Sequence, residues 1–312
     1  MVRFIGNKIV QYVAVLFITS IIIFGMVRLN PADPVAVIMG GKQSTEETIM
    51  NIRHEFYLDK SIPEQYLIWV TGVLHGDFGI SFMYRQPVGN LIQERLPVTA
   101  GIVIIATLIS VMISIPTGII TAVKQHSALD TGISVVQLIL VAVPPFLTSI
   151  LMIWIISKSA PGFSFTGSFT TLGQYLQRIS LPAVALSFSM IALTSRVTKT
   201  SMIEQIQANY YIVSLSKGLS PNQVIIRHCL KNAIIPVITI LGTQIGILIV
   251  GAVLVENVFS LAGLGSILIE GIKASDYPIV QGITMLMVLV FMTISTLLDI
   301  LYGVIDPRIR LQ

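Results

Sequence analysis

The sequence predicts an all-α polytopic membrane protein of about six transmembrane helices, with the N- and C-termini both cytosolic. Three observations carry that prediction. Hydrophobic residues are 54% and charged residues 11% of the 312-residue chain, and mean hydropathy is +0.86, a composition that belongs in lipid rather than in water. Several apolar runs are long enough to cross a bilayer. The basic residues gather on the flanks of one membrane face.

A crossing takes about 20 mostly apolar residues. The runs Ile9–Leu29, Val98–Val123, Thr131–Ile156, Ser180–Val197, Ile234–Val258 and Gln281–Val304 meet that length. An even number of crossings puts both ends on one side. In the short flanks where Lys and Arg set orientation, one face receives Arg3, Lys8, Lys124, Arg196, Lys199, Lys217, Arg227, Lys231, Arg308 and Arg310. Lys158, Arg178 and Lys273 fall on the short loops of the other. The first face is therefore the cytosolic one. Residues 1–29 read as a cytosolic N-terminus and first helix, 30–97 as an extracytoplasmic cap, 98–304 as the membrane core and 305–312 as a cytosolic tail. A cytosolic loop is expected near 198–233 within that core. The first run is too long for a signal-peptide core and lacks a small-residue cleavage site, so it reads as an uncleaved span.

In the cap, the prolines of Asn30-Pro31-Ala32-Asp33-Pro34 forbid helix continuation. Ser44 or Thr45 can then cap a short helix through Ile49, Ile52 and Phe56. The later stretch His75–Phe82 alternates glycine with large residues, which suits a tight turn or a contact with a partner.

Within the core, Pro116 and the pair Pro144-Pro145 interrupt apolar runs, where a lost backbone donor bends a helix. Such bends are either structural kinks or the lining of a transport route. Gly242, Gly246 and Gly251 are spaced to let another helix approach. Polar intrusions are few. Gln137 and Gln244 either line a route or bond between helices, and Glu256 and Asp299 stand near helix ends, where water or a local partner can serve them. Gln137, Pro144, Gln244 and Glu256 are the pathway candidates.

The segment Asn209–Pro236 is a basic island between two apolar runs, carrying Lys217, Arg227, His228 and Lys231 against no acid. It reads as a docking surface presented to the cytosol. Tyr210 to Lys217 can form a short helix, Gly218 suits a left-handed C-terminal position, and Ser220-Pro221 can cap and start the next helix.

Several functions are excluded. Gly40-Gly41-Lys42-Gln43 lacks the leading glycine and the hydroxyl residue of a phosphate-binding loop, so no ATP is expected on this chain. No metalloprotease or serine-hydrolase motif occurs, and no catalytic residue is nominated. The single cysteine, Cys229, allows no internal disulfide, and beside His228 it reads as a packing residue rather than a metal ligand. The net charge of +4 is dispersed over helix ends, which points to lipid contact and away from nucleic acid.

Tyr210, Lys217-Gly218-Leu219, Arg227-His228 and Asn232-Ala233 through Pro236 resemble the cytosolic loop of permease subunits of dipeptide, oligopeptide and nickel ABC importers. The resemblance covers the whole chain. It includes Asp33-Pro34, Asp77-Phe78-Gly79-Ile80-Ser81, Leu181-Pro182-Ala183, Glu256-Asn257-Val258-Phe259 with Gly263-Leu264-Gly265, Asp276–Gln281 and Asp306–Arg310. It implies the type I ABC importer permease fold. It also implies a second homologous permease, two ATPase subunits that bind the ATP, and an extracytoplasmic solute-binding protein. Tyr210, Tyr211, Ser214, Leu215, Lys217, Gly218 and Leu219 would then couple to the ATPase. The chain departs from the family at Ala208-Asn209 and Ser214-Leu215-Ser216, where an acidic residue and an Ala-Arg-Ala run are usual, and at Leu261-Ala262-Gly263, where Trp-Pro-Gly is usual. The texture around Arg28-Leu29, Gly79–Phe82 and Val255–Phe259 leans to nickel or a nickel chelate as the solute, with peptides as the alternative. A stand-alone secondary transporter or channel is the remote alternative; it would want inverted repeats and midplane charges, which the sequence lacks.

Cysteine-accessibility labelling checks the topology. A cysteine at Gln65 is expected to label from outside and one at Asn222 from inside. The opposite result at either position refutes the arrangement.

Overall fold

A computed structural model of the chain describes residues 2–29, 33–39, 45–160, 162, 169 and 171–305. Residues 30–32, the 40–44 stretch with Ser44, and the 306–312 tail with Arg308 and Arg310 lie outside the described residues, as do the side chains of Arg3 and Asp299. The described chain is helical. In order it forms α1 (Val2–Arg28), α2 (Pro34–Ile38), α3 (Glu46–Glu55), α4 (Ile62–Leu74), α5 (Val88–Val123), α6 (Ala128–Ala142) and α7 (Pro145–Ser159). There follow α8 (Leu172–Ile206), α9 (Asn209–Ser216), α10 (Pro221–Val224), a π-helical turn (Ile225–Cys229), α11 (Leu230–Val258), α12 (Leu264–Lys273) and α13 (Tyr277–Ile305).

Among the described residues five helices are long and apolar enough to cross a membrane, and the α6–α7 pair makes a sixth crossing if it is one broken span. Each sequence-derived run coincides with one of these. The pair is bent by 103°. Val143 and Pro144 are both extended there, as expected before and at a proline whose neighbour is again proline. The expected bend is thus a full break. By contrast α5 runs on through Pro116.

The chain divides into two compact units, residues 1–99 with 262–296, and residues 100–261 with 297–312. In the first, caps set the short helices. Asp33 accepts from the Val35 amide at 3.0 Å with Pro34 at the first turn, and Thr45 caps α3. Ser61 donates both its amide and its hydroxyl to Glu64, at 3.0 and 2.9 Å. Those bonds hold the Glu64 carboxyl below the usual range.

The core of this unit gathers Val88, Leu91, Ile92, Leu264, Ile267, Ile279 and Ile283. Buried Asp276 ties it together. Its carboxylate accepts from the Ser81 hydroxyl at 2.6 Å, the Met83 amide at 2.8 Å and the Ile279 amide at 3.3 Å. It therefore caps α13 and pins the 81–83 turn at once. The turn just before it is built by Asp77, which accepts from the Gly79 amide at 2.9 Å, and by Gly79 itself at φ +83°. Beside it, the Tyr84 hydroxyl donates to Glu270, and its pKa is pushed up to about 12, first by burial and then by that bond.

In the second unit α8 packs against α6, α7 and α11, and α7 also meets α11. Its buried face mixes larger residues such as Leu186, Met190 and Ile191 with Ala183, Ala185, Ser187, Ala192, Thr194, Ser195 and Thr198, small side chains of the kind that let membrane helices approach. A side chain on Gly242 would collide with Leu298, and one on Gly251 would come within 2.9 Å of Leu186. Both contacts are with neighbouring helices of this chain. Buried Asp130, at the start of α6, pairs with Lys199 of α8. The pattern Ser127-x-x-Asp130 ahead of an apolar run signals that helix start, and Ser127 does accept from the Asp130 amide at 3.2 Å.

After α11 the chain turns through Ser260 at φ +51°, its amide bonding Asn257 at 3.1 Å while the Leu261 amide bonds Glu256 at 2.9 Å. This is the helix terminus that normally takes glycine. Ser260→Gly is expected to raise stability by about 1 kcal/mol, read as a higher Tm in detergent. A lower Tm would mean that the hydroxyl is needed more than the backbone relief.

Candidate functional site

The polar island is helical almost throughout. The expected loop near 198–233 shrinks to two short links, because α8 continues through Arg196 and Lys199 to Ile206 and helix resumes at Pro221. Charged residues spaced along a helix end cost nothing once the helix leaves the lipid, so the end of hydrophobicity does not mark the end of the helix. Arg227 and His228 therefore sit on the π turn and Lys231 on α11.

Between the links lies α9, fixed at its C-terminal end. The Leu219 amide bonds Ser214 at 3.4 Å and the Gly218 amide bonds Leu215 at 2.9 Å, with Gly218 at φ +86°. These two bonds satisfy the last carbonyls of the helix and need a left-handed residue where glycine stands. Ser220 then exchanges bonds with Gln223, with Pro221 at the first position of α10.

The two faces of α9 do different things. Tyr210, Tyr211, Leu215 and Leu219 pack on a buried cluster of Ala122, Met202, Val224, Ile225, Cys229 and Ala233. The Tyr210 hydroxyl donates to Gln205 at 2.9 Å, and burial pushes that phenol above its ordinary value. Ser214 bonds back to Tyr210 at 2.7 Å. Of the nominated coupling residues, Lys217 and Gly218 are exposed, and the others face their own chain to a greater degree. The outward face instead carries Ile212 and Val213, 64% and 52% exposed, with Ser216 beside Lys217. Sequence reasoning missed both apolar residues because the eight-residue helix is apolar on both sides, and periodicity cannot say which side is covered.

Exposed aliphatic side chains on a short helix closed at its C-terminal end, with Ser216 and Lys217 beside them, form a knob suited to a groove on another protein. Cys229 is buried, its thiol directed to the Gln205 carbonyl at 3.8 Å, while His228 is exposed. The two do not converge, and among the described residues no cluster of three His, Cys, Asp or Glu could hold a metal.

The pathway candidates are scattered. Gln137 donates to the Ser195 hydroxyl at 2.7 Å, which in turn meets Thr117 at 2.9 Å, a polar chain across α6, α8 and α5. Pro144 forms the break between α6 and α7. Gln244 is buried on α11, about three turns before Glu256. Glu256, expected to be served by water or by a local partner, is 0% exposed, which leaves the local partner, and Phe259 and Leu261 beyond the helix end are buried too.

The chain matches two family descriptions in tandem. Residues 1–103 match "Binding-prot-dependent transport system membrane comp, N-term" and residues 114–311 match "Binding-protein-dependent transport system inner membrane component". A Brucella abortus protein provisionally named a peptide transport system permease is 34% identical over 99% of both chains. A Pseudomonas aeruginosa protein named as the di/tripeptide transport system permease DppB is 31% identical over the full length of both. Among solved structures, a chain from an inward-facing form of the MetNI methionine ABC transporter superposes with a TM-score of 0.59 at 16% identity, covering 69% of this chain and 96% of its own. That likeness concerns the fold.

Gln137→Leu is expected to cost about 0.6 kcal/mol, as for an average interhelical bond in a membrane protein, and to leave the maximal uptake rate unchanged. Thermal melting and uptake assays on the same preparation check this. A fall in uptake rate at unchanged Tm would instead place Gln137 on the solute route.

Proposed function

We propose one function for this chain, which belongs to the binding-protein-dependent transport system inner membrane component family: it is the permease subunit of an ATP-driven importer of peptides. Full-length similarity to permeases named for peptide and di/tripeptide transport supports the solute class. The nickel lean drawn from a few motif residues finds no support in those names, and we set it aside. In this reading the α6–α7 pair counts as one crossing, so six crossings leave both termini cytosolic.

The observation that carries the coupling role is the outward pair Ile212 and Val213 on capped α9. Docked in a groove of an ATPase subunit, a rigid helix moves with that subunit and passes its motion to α8 and α10, which flank it. The assembly proposed is this chain, a second homologous permease, two ATPase subunits that bind the ATP, and an extracytoplasmic binding protein that selects the peptide. Gln244 and Glu256 are retained as pathway candidates.

The test uses the whole complex. Ile212→Glu with Val213→Glu is expected to leave Tm within about 0.5 kcal/mol of wild type in stability terms, since both positions are exposed, and to abolish co-purification of the ATPase subunits. Peptide-loaded binding protein is expected to stimulate ATP hydrolysis in the wild-type complex, and nickel to have no effect. Retained ATPase binding in the double variant refutes the docking face, and stimulation by nickel alone refutes the peptide assignment.

A further inference from the structure

Three buried hydrogen-bond donors without acceptors belong to residues that line one cavity in the unit of residues 1–99 and 262–296. The cavity holds about 330 Å³ and its wall includes Arg28, Trp69 and Gln281. Arg28 Nη1, Trp69 Nε1 and Gln281 Nε2 are all buried with no partner among the described residues. Such groups are rare in a folded protein, and each costs the full loss of its hydration. Three of them on one wall point to a missing ligand rich in acceptor oxygens.

The donors are held in place. Arg28 Nη2 donates to Gln65 at 2.6 Å, and the guanidinium lies 4.1 Å from the centre of the Phe24 ring. Trp69 packs against the same phenylalanine, with ring centres 5.8 Å apart. Gln281, 4% exposed, is fixed on the first turns of α13. An arginine stacked on one face and bonded through one nitrogen keeps its other nitrogen for an oxyanion. Two carboxylates, Glu55 and Asp77, also line the cavity, and both are exposed. The ligand is therefore anionic where it is buried and suits a cation where it meets water.

Its surroundings select an amphiphile. Arg28 ends the apolar span that begins at Gly6, so the cavity stands where hydrocarbon gives way to headgroups. Ile68 lines the cavity and is exposed, as are Ile62, Leu67 and Leu74 on the same helix α4 and Ile21, Ile22 and Met26 on α1. A soluble anion would leave that apolar surface uncovered, whereas acyl chains would cover it. We propose that this cavity seats the phosphate of a membrane phospholipid with an ethanolamine headgroup, its ammonium toward Glu55 and Asp77 and its acyl chains along α4 and α1. The site rests on membrane insertion and not on the peptide reading, which can fail without it.

Native mass spectrometry of the complete complex, purified from membranes in mild detergent, reads the outcome. The wild type is expected to retain a phosphatidylethanolamine, and added phosphatidylethanolamine to raise its Tm. Arg28→Met is expected to lower lipid retention about tenfold, and Trp69→Phe, which keeps an aromatic side chain but removes the donor with the pyrrole half of the indole, about threefold. Should Arg28→Met fail to fold, Trp69→Phe and Gln281→Leu carry the test. Unchanged retention in the variants that fold overturns the proposal. So does equal protection by inorganic phosphate, which would assign the site to a free anion, or displacement of the lipid by dipeptide, which would assign it to the solute.

Discussion

Hydrocarbon offers a backbone amide or carbonyl no partner, so each must find one inside the protein. That constraint decides where this chain can break. Pro182 and Pro236 lie inside α8 and α11 without ending them. The sharp break at Pro144 is followed at once by Thr148 and Ser149, whose hydroxyls both bond the Pro145 carbonyl, at 2.8 and 2.7 Å. The Leu147 and Thr148 amides bond the Pro144 carbonyl in turn, at 3.0 and 3.1 Å. The first carbonyls of the new helix are thus bonded within its first turn. On α8 the Thr198 hydroxyl likewise bonds back to the Thr194 carbonyl at 2.8 Å and presents a small body to its neighbours.

Much of this was legible in the sequence, because caps and left-handed turns are local physics. Gly218 at positive φ and Ser220-Pro221 at a helix start stand where their chemistry places them. Long-range facts were less so. That the proline pair breaks the helix by 103° rather than bends it slightly is not written in the two prolines alone. The burial of Glu256, at a helix end, left no local trace. The outward face of α9 was hidden because Ile212 and Val213 are as apolar as the tyrosines turned inward. The Asp130–Lys199 pair joins residues far apart in sequence, and only its capping half, Ser127 with Asp130, leaves a local trace. Solute identity was least legible, since a conduit selects less than the pocket of a delivering protein.

Two motifs that look unrelated in sequence prove to be halves of one joint. Asp77–Ser81 builds a turn, Asp276–Gln281 starts a membrane helix, and the Ser81 hydroxyl on the Asp276 carboxylate fastens them. Gly79 and Gly282 serve the same joint from either side. A side chain on the first would reach 3.6 Å from Pro278, and one on the second 3.1 Å from Phe78 and Val88. Co-occurrence of such motifs is thus a contact map in disguise: each supplies a group the other would otherwise leave unsatisfied in a buried place.

From Pro221 to Val258 the helix is continuous for 38 residues, passing through its π turn, and Leu172–Ile206 runs for 35. At 1.5 Å per residue these are rods of about 57 and 52 Å, against a hydrocarbon thickness of about 30 Å. Both must project well clear of the lipid. The short helix slung between their ends is therefore carried on two stalks, and a tilt of either stalk sweeps its tip through a longer arc than its base. Mechanical gain follows from length alone. In the coupling role proposed for α9, a hinge of a few degrees in the bilayer would suffice for a stroke of useful size outside it.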